Sequence, residues 1–282
     1  TKYAVKVTDP TMIRYHLEKA VYLATQGRPG PVWVDLPIDI QGMVIDEEEL
    51  KRFDPGESSS VSTTLNSELH HKIPQVFDLL KQSSRPVILA GSGIRHAKAT
   101  REFLELVNRL KIPVLTSRRG ADLVPDDHPC FFGRPSTYGQ RSANFIIQNC
   151  DLLISVGSRL SIPLIGRNTE AFARAARKVV VDIDPHELEK LTLKPDIPLA
   201  MDAGRFIEGC LSLLPDSLPS YSPWVERCRG WRLRFPPDSY TGPSLPPDPS
   251  EDGLIYPLPL LRALSAELGE NDVVVADGGA TL

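Results

Sequence analysis

The stretch RPVILAGSGIRHA, residues 85–97, decides the fold of the middle of this chain. A run of apolar residues leads into two glycines and then into a helical pattern, which is typical of a buried strand and a tight turn. Gly91 and Gly93 would let the backbone approach a phosphate closely, with helix amide groups directed at the anion. His96 stands where the full fingerprint has a third glycine. A strand-to-helix turn without a ligand is therefore an equal alternative.

Three further apolar runs follow, and each ends in polar or small residues. Segments with helical periodicity separate them, which predicts βαβ units and a doubly wound parallel sheet. We therefore expect one α/β domain over residues 65–215. The runs are IPVLTS (112–117), DLLISVGSR (151–159) and KVVVDIDP (178–185), and the helices are expected near 96–110, 142–149 and 170–177.

Charged side chains stand at the ends of two of these strands. Asp182 is placed to accept hydrogen bonds from ribose hydroxyls, and Arg159 after Gly157 is placed to meet a phosphate. The alternative role for Arg159 is a surface ion pair. Asp184 could be a helix N-cap, with Pro185 at the first helical position. Asp182 is the better ligand candidate of the two aspartates.

The segment before the central block predicts one helix and one strand. The helix has Thr8 or Asp9 as its N-cap, Pro10 at its first position and Gly27 as its stop. The strand in GRPGPVWVDLP, residues 27–37, lacks polar alternation, which is typical of a strand covered on both faces. One helix cannot cover it, so its partners must come from elsewhere.

The segment after the central block is rich in proline. Eleven of the 26 prolines fall between positions 215 and 259, which predicts an extended connector with a short helical piece near 224–231 and no core. A leucine-lined helix and a buried strand at 273–276 follow, so we expect both ends to be pieces of larger α/β domains. The predicted units are 1–42, a linker 43–64, 65–215, a linker 216–256, and 257–282.

Composition excludes several classes of function. The net charge of -4 with interspersed charges offers no basic face for nucleic acid, and no apolar run is long enough to span a membrane. Four widely spaced cysteines argue against a zinc site or a disulfide framework and favour a reducing cytoplasm. Isolated histidines and the lack of a G-x-S-x-G motif leave no catalytic machinery to assign.

Taken in order, several segments resemble the thiamine-diphosphate-dependent enzymes of the acetolactate synthase (acetohydroxyacid synthase) type. The resemblance spans nearly the whole chain. TQGRPGPVWVDLPIDIQ is similar to the end of that family's pyrimidine-binding domain, residues 128–190 to its central domain, and DVVVADGGATL to the start of its diphosphate-binding domain. It implies a six-stranded, Rossmann-like central domain flanked by truncated pieces. It also implies decarboxylation of a 2-keto acid followed by carboligation, for example two pyruvates giving 2-acetolactate.

The resemblance also implies cofactors and partners. Thiamine diphosphate and Mg²⁺ would act in the parent enzyme, a homodimer or homotetramer whose catalytic glutamate and metal motif lie outside this chain. No catalytic or metal-binding residue is therefore assigned. Gly279, Ala280 and Thr281 would lie near the thiamine diphosphate phosphates. A central-domain FAD or ADP would be bound by Gly91, Gly93, Thr116, Gly133, Gly139, Arg159, Asp182, Ile183 and Asp202.

Two departures from the family pattern leave alternatives open. Ser161 and Pro163 replace an aspartate and an arginine that contact the flavin nucleotide, and Tyr138 replaces a histidine in the loop between two glycines. FAD, ADP or no nucleotide are the alternatives at this place. For function, the alternatives are a 2-hydroxyacyl-CoA lyase or another 2-keto-acid decarboxylase of the superfamily, and a non-catalytic nucleotide-binding module. An NAD-dependent oxidoreductase or deacylase has only the general glycine-and-acid pattern in its favour.

Overall fold

The structure of the chain, a computed structural model, describes residues 1–58, 65–189, 193–236, 257–269 and 271–275. Two parallel sheets occur in these residues, one of two strands and one of five. The strands are β1 Tyr3–Lys6, β2 Val32–Asp35, β3 Pro86–Ala90, β4 Val114–Thr116, β5 Leu152–Val156, β6 Arg177–Asp182 and β7 Ile197–Ala200.

Eleven α-helices accompany these strands among the described residues. They are α1 Ile13–Thr25, α2 Ile38–Gln41, α3 Leu65–Gln82, α4 Gly93–His96, α5 Thr100–Leu110, α6 Arg141–Asn149, α7 Ile162–Ile165, α8 Pro185–Leu188, α9 Ala203–Ser212, α10 Ser222–Arg234 and α11 Pro257–Glu267. Short 3₁₀ helices lie at Pro10–Met12, Pro55–Ser58, Arg118–Gly120 and Thr169–Ala171.

The large sheet has the strand order β4-β3-β5-β6-β7, with every neighbouring pair parallel. β4 is added on one side of β3 and β5 on the other, so the connections reverse direction between β3 and β5. In open α/β sheets, ligands bind at such a reversal, outside the carboxyl ends of the strands. The doubly wound parallel sheet predicted from the sequence is confirmed.

The prediction of six strands is corrected to five for the described part of the chain. The sixth position, beside β4, is occupied by a segment that forms a single parallel bridge between Val114 and Phe131. Val114 N donates to Cys130 O at 2.7 Å and Phe132 N donates to Val114 O at 2.9 Å. Pro129 lacks an amide donor, and Gly133 has a φ of 100° and accepts from Thr116 N at 3.1 Å, so the pairing is irregular on both sides of the bridge.

Helices cover both faces of the large sheet. Helices α3, α5 and α9 pack on one face around the buried Phe103 and Phe206, and helices α6 and α10 pack on the other. The strands β3 and β5 are buried along their whole length. These buried runs explain why the sequence shows no polar alternation in the strands.

Helix α10 corrects the interpretation of the proline-rich segment as lying outside any core. Trp224 and Cys228 are buried in the same cluster as residues of α6, and Trp224 Nε1 donates to Pro86 O at 3.1 Å. Trp224 and Trp231 stack edge to face with ring centroids 5.7 Å apart. Trp224 is therefore a core residue, and Trp231 packs against the same cluster.

The prediction of a helix near 170–177 is wrong. The chain there forms only the 3₁₀ turn Thr169–Ala171, and Ala173 takes a left-handed φ of 45°. Phe172 and Ala173 are both buried in the core cluster on the α6 face. Packing of these two side chains therefore overrides the helical tendency of an alanine-rich segment.

The described segment before the central domain, residues 1–58 and called the first unit below, contains a strand that the sequence pattern did not reveal. β1 pairs in parallel with β2, and α1 connects them, with Asp9 as the N-cap of the preceding 3₁₀ turn. β2 alternates between half-buried and exposed residues, and Trp33 is 68% exposed. The expectation that this strand is covered on both faces is not met among the described residues.

The last described residues form helix α11 and the segment 271–275. Leu260, Leu261 and Leu264 are exposed on α11. The strand predicted at 273–276 is absent from residues 271–275, since the described residues offer it no partner strand. Within the described ranges, no helix combines the length and apolarity needed to cross a membrane.

Candidate functional site

The candidate site lies at the carboxyl ends of β3, β5 and β6, where the strand connections reverse direction. The sequence predictions place Gly91 and Gly93 after β3, Arg159 after β5 and Asp182 at the end of β6. The parallel pairing of these three strands brings their ends to one edge of the sheet. The structure therefore gathers four of the predicted residues into one region.

The two glycines after β3 pack directly against the backbone after β5. Gly91 N donates to Val156 O at 2.9 Å, and Gly93 N donates to Gly157 O at 3.0 Å. A Cβ at position 91 would overlap the backbone of Gly157 and Ser158. Close contact between the two turns accounts for the glycine at each position. The amides of both glycines donate to carbonyl oxygens and are not directed at an open phosphate-binding site.

The turn after β5 holds an unusual backbone conformation. Gly157, Arg159 and Leu160 have φ values of 59°, 62° and 47°, which non-glycine residues adopt at a cost. The buried Ser155 and Ser158 hydroxyls lie 2.6 Å apart and bond to each other across this turn. The turn directs the Arg159 side chain outward, where it is 61% exposed.

The end of β6 carries the two aspartates weighed from the sequence. Asp182 is buried, and its Oδ1 accepts from Asp184 N at 3.0 Å. Asp184 is the N-cap of α8, with Pro185 at the first helical position, and its Oδ1 accepts from His186 N at 3.1 Å. The capping role considered for Asp184 is confirmed, and Asp182 remains the predicted ribose ligand.

The sequence pattern did not single out Glu187, whose carboxylate pairs with two arginines at this edge of the sheet. Its Oε1 accepts from Arg159 Nε at 3.0 Å and from Arg28 Nη1 at 3.0 Å. The side chain of Glu187 is 8% exposed. The only local signal is the spacing Asp184-x-x-Glu187, which resembles a helix capping box. The ion pair considered as the alternative role of Arg159 is thus present.

Thr116 does not join this cluster. It follows Val114 by two positions, and Val114 lies in the core on the α5 face. Asp182 follows Val180 by two positions, and Val180 lies in the core on the α6 face. Because side chains alternate along a strand, Thr116 and Asp182 point to opposite faces of the sheet. The Thr116 hydroxyl is fully buried and has no hydrogen-bond partner among the described residues.

The loop from Gly133 to Gln140 is compact and attached to α7. Gln140 Oε1 accepts from Arg134 N at 2.9 Å, and a Cβ at Gly133 or Gly139 would overlap atoms within the loop. Thr137 donates to Pro163 O from its backbone N at 3.0 Å and from its Oγ1 at 3.1 Å. Packing within the loop therefore accounts for the glycine at both positions. Tyr138, in the same loop, is 92% exposed.

The remaining predicted residues lie elsewhere. Asp202 is the N-cap of α9, and its Oδ1 accepts from Gly204 N at 2.8 Å and Arg205 N at 3.3 Å. Ile183 is exposed beside Asp182. The predicted thiamine diphosphate contacts lie outside the described residues; they are Gly279, Ala280 and Thr281.

The arrangement at β5 and β6 fits part of a nucleotide. A guanidinium can bind a phosphate through several N–H groups, and a carboxylate on the neighbouring strand can accept from ribose hydroxyls. In the described ranges, no cluster of three or more His, Cys, Asp or Glu side chains is suited to a metal ion.

Comparison with known proteins identifies the family. Residues 73–210 match the family model described as thiamine pyrophosphate enzyme, central domain. The probable acetolactate synthase large subunit of Methanocaldococcus jannaschii is 35% identical over 232 residues, which cover 80% of this chain and 38% of that protein. The acetolactate synthase large subunit of Corynebacterium glutamicum is 31% identical over 282 residues, covering 99% of this chain and 43% of that protein.

A third relative agrees with the first two. The acetolactate synthase isozyme 2 large subunit of Escherichia coli is 30% identical over 254 residues, covering 87% of this chain and 43% of that protein. The chain thus spans less than half the length of these three relatives. Residues 73–210 therefore belong to the thiamine pyrophosphate enzyme family as its central domain, and most of the chain is similar to acetolactate synthase large subunits.

Proposed function

We propose that this chain works as the central portion of an acetolactate synthase-like enzyme, which decarboxylates one 2-keto acid and joins the remaining two-carbon unit to a second. With pyruvate as both substrates, the products are 2-acetolactate and CO₂. The observation that carries the proposal is the 31% identity that runs along 282 residues of a single acetolactate synthase large subunit. Similarity to a single domain model could not by itself separate this activity from others on the same scaffold.

Thiamine diphosphate, with Mg²⁺, supplies the carbanion stabilisation that this chemistry needs. We propose that Gly279, Ala280 and Thr281 lie near its phosphates in the longer enzyme. We assign no catalytic residue to this chain. A chain of residues 1–282 supplied with thiamine diphosphate, Mg²⁺ and pyruvate should therefore form no acetolactate above background in a colorimetric assay. Turnover by this chain alone would contradict that assignment.

The central domain is proposed to bind a nucleotide, FAD or ADP, at the ends of β5 and β6. Arg159 would bind a phosphate and Asp182 the ribose, and the exposure of the Arg159 side chain supports the first role. The other predicted contacts follow the family resemblance; they are Gly91, Gly93, Thr116, Gly133, Gly139, Ile183 and Asp202. Among these, Gly91, Gly93 and Thr116 have the least support, since both glycine amides already donate to backbone oxygens and Thr116 faces the other side of the sheet from Asp182.

Titration of the chain with FAD, ADP and NAD tests this nucleotide site. We expect FAD fluorescence quenching or an ADP heat signal at one site per chain, with affinity reduced about tenfold in Arg159→Met. Arg177→Met is the matched control, because Arg177 is similarly exposed but lies at the opposite end of β6. Equal loss in both variants, or no binding of any of the three nucleotides, would contradict the site.

A 2-hydroxyacyl-CoA lyase-like activity is the second candidate, and one observation favours it. Pro163 and Ser161 stand where the family resemblance expects flavin contacts, and Pro163 O is occupied by the two Thr137 hydrogen bonds. Binding of ADP without FAD in the titration would move the proposal to this lyase, because the site would then accept an adenine nucleotide and exclude the flavin. Binding of FAD would retain the synthase.

The assembly and the cellular location are further parts of the proposal. We propose a homodimer or homotetramer that forms mainly through parts of the enzyme outside this chain, and a cytoplasmic location. Light scattering of the longer enzyme beside the 1–282 chain tests the first point. A 1–282 chain that assembles as fully as the longer enzyme would contradict it.

A further inference from the structure

One carboxylate oxygen joins the first unit to the candidate nucleotide site. Oε1 of Glu187 accepts from Arg28 Nη1 at 3.0 Å and from Arg159 Nε at 3.0 Å. Arg28 lies in the turn between α1 and β2, 159 positions before Glu187 in the chain, and also pairs with Asp184 Oδ2 at 3.0 Å. Two guanidinium groups from different units thus share one acceptor atom.

Glu187 is buried, so the two shared ion pairs matter to its stability in the fold. Its side chain is 8% exposed, whereas those of Arg28 and Arg159 are 37% and 61% exposed. A buried carboxylate that loses its partners carries a large desolvation cost, while exposed guanidinium groups re-solvate easily. Glu187 therefore requires a positive partner in every state of the molecule, and either arginine can meet that requirement.

We propose that Glu187 is a positioning residue that couples occupancy of the nucleotide site to the seating of the first unit on the central domain. When a ligand phosphate draws the Arg159 guanidinium away from Glu187, Arg28 keeps the carboxylate paired and its own contact strengthens. Ligand binding then tightens the link between the two units. This inference rests on the proposed nucleotide site at Arg159.

The coupling must act in both directions, because linkage between two binding equilibria is reciprocal. Removing Arg28 leaves Glu187 with Arg159 as its remaining strong partner in the contacts described above. A ligand must then separate Arg159 from Glu187 at a higher cost, because Arg28 no longer shares the buried carboxylate. Ligand affinity therefore falls even though Arg28 belongs to another unit. Removing the charge of Glu187 releases Arg159 and should make ligand affinity insensitive to Arg28.

A double-mutant cycle with ADP as the probe, measured by isothermal titration calorimetry, tests the coupling. In the 1–282 chain, Arg28→Met should weaken ADP binding by roughly two- to fivefold, the size expected for a partly exposed ion pair. Arg28→Lys should recover most of that loss. Glu187→Gln should bind ADP at least as tightly as the unmodified chain, and adding Arg28→Met to it should have no further effect.

Arg14→Met is the matched control for the cycle. Arg14 is also a half-buried arginine of the first unit, but it pairs with Glu18 one helical turn away, so ADP affinity should stay unchanged. Circular dichroism establishes that each variant is folded, and Arg28→Gln, which also removes the charge, replaces Arg28→Met if the latter does not fold.

The outcomes separate the two proposals. If the unmodified chain binds neither ADP nor FAD, the nucleotide site fails and the coupling fails with it. If the unmodified chain binds ADP and Arg28→Met binds it equally well, the coupling alone is overturned. An Arg28→Met effect that persists undiminished in the Glu187→Gln background would also overturn it, because Glu187 would then not be the shared acceptor.

Discussion

The central sheet and the first unit use the same elements but reach different degrees of burial. β3 and β5 are buried at every position, whereas β1 and β2 alternate between half-buried and exposed residues. Helices cover both faces of the central sheet, whereas among the described residues the main packing on the pair formed by β1 and β2 comes from α1. Parallel strands are normally buried on both faces. The central region therefore carries its own core, and we expect the first unit to be the weaker part.

The largest expected difference comes from truncating one side chain in each region. Phe103 is fully buried among α3, α5 and α9, so Phe103→Ala should lower the free energy of unfolding by about 3–5 kcal/mol. Trp33→Ala, which removes a larger but mostly exposed side chain, should change it by less than about 0.5 kcal/mol. Urea unfolding followed by circular dichroism measures both. Comparable losses would remove the contrast between the regions.

A pair of glycines with the same backbone conformation sharpens the contrast. Gly157 and Gly27 have φ values of 59° and 57°, but a Cβ at Gly157 would press on the Gly93 backbone, while nothing lies within 4 Å of one at Gly27. Gly27→Ala should cost about 1 kcal/mol for the left-handed conformation. Gly157→Ala should cost about 2–4 kcal/mol, since overpacking adds to it. Equal costs in thermal unfolding would show that the two turns after β3 and β5 are not in tight contact.

Helix caps should show a smaller difference of the same kind. Asp202→Ala removes the cap of α9, whose Phe206 and Ile207 are buried, so a loss of about 1 kcal/mol is expected. Asp202→Asn should retain most of the stability. Asp9→Ala, at the exposed 3₁₀ turn before α1, should give no measurable change. A nucleotide affinity that falls in Asp202→Asn would show that Asp202 contacts the ligand as well as capping the helix.

The sequence predicted the central strands because burial on both faces leaves an uninterrupted apolar run. It did not reveal β1, since Tyr3–Lys6 has only four residues and two of them are exposed. The helix expected near 170–177 failed for a different reason: local propensity favoured it, but the core position of Phe172 and Ala173 decided the backbone.

The candidate site was predictable to the same limited degree. The positions of Arg159 and Asp182 follow from strand ends, which a pattern reveals. The pairing of Arg28 with Glu187 spans 159 positions and depends on how two units meet, which no local pattern contains. The buried hydroxyl of Thr116, which has no partner in the part of the chain that the structure describes, likewise emerges only from the packing of the assembled core.

The smallest expected signal is the absence of thiol reactivity. All four cysteines are free and buried, and all lie in the central region. Burial raises the pKa of the Cys150 thiol from 9.0 to about 12, so little of the reactive thiolate forms at pH 8. No labelling by a disulfide reagent should occur within minutes at that pH, and four thiols should react after unfolding. Fast labelling of the native chain would show that the central core opens readily.

The same raised pKa predicts a loss of stability at alkaline pH. The folded chain holds the Cys150 proton more tightly than the unfolded chain, so this contribution is fully present below pH 9.0 and is lost as pH rises toward about 12. Cys150→Ala should flatten that part of the pH profile. A profile that is unchanged by the substitution would assign the alkaline loss to other groups.

Native-state hydrogen exchange tests most directly whether the two regions differ as described. Amides of β3 and β5 should exchange only through global unfolding, and their protection should fall together in Phe103→Ala. Amides of β1 and β2 should exchange much faster, through local opening, with rates that the same substitution leaves unchanged. If β1 and β2 are protected as strongly as β5 and lose that protection with Phe103→Ala, the first unit shares the central core and the account is contradicted.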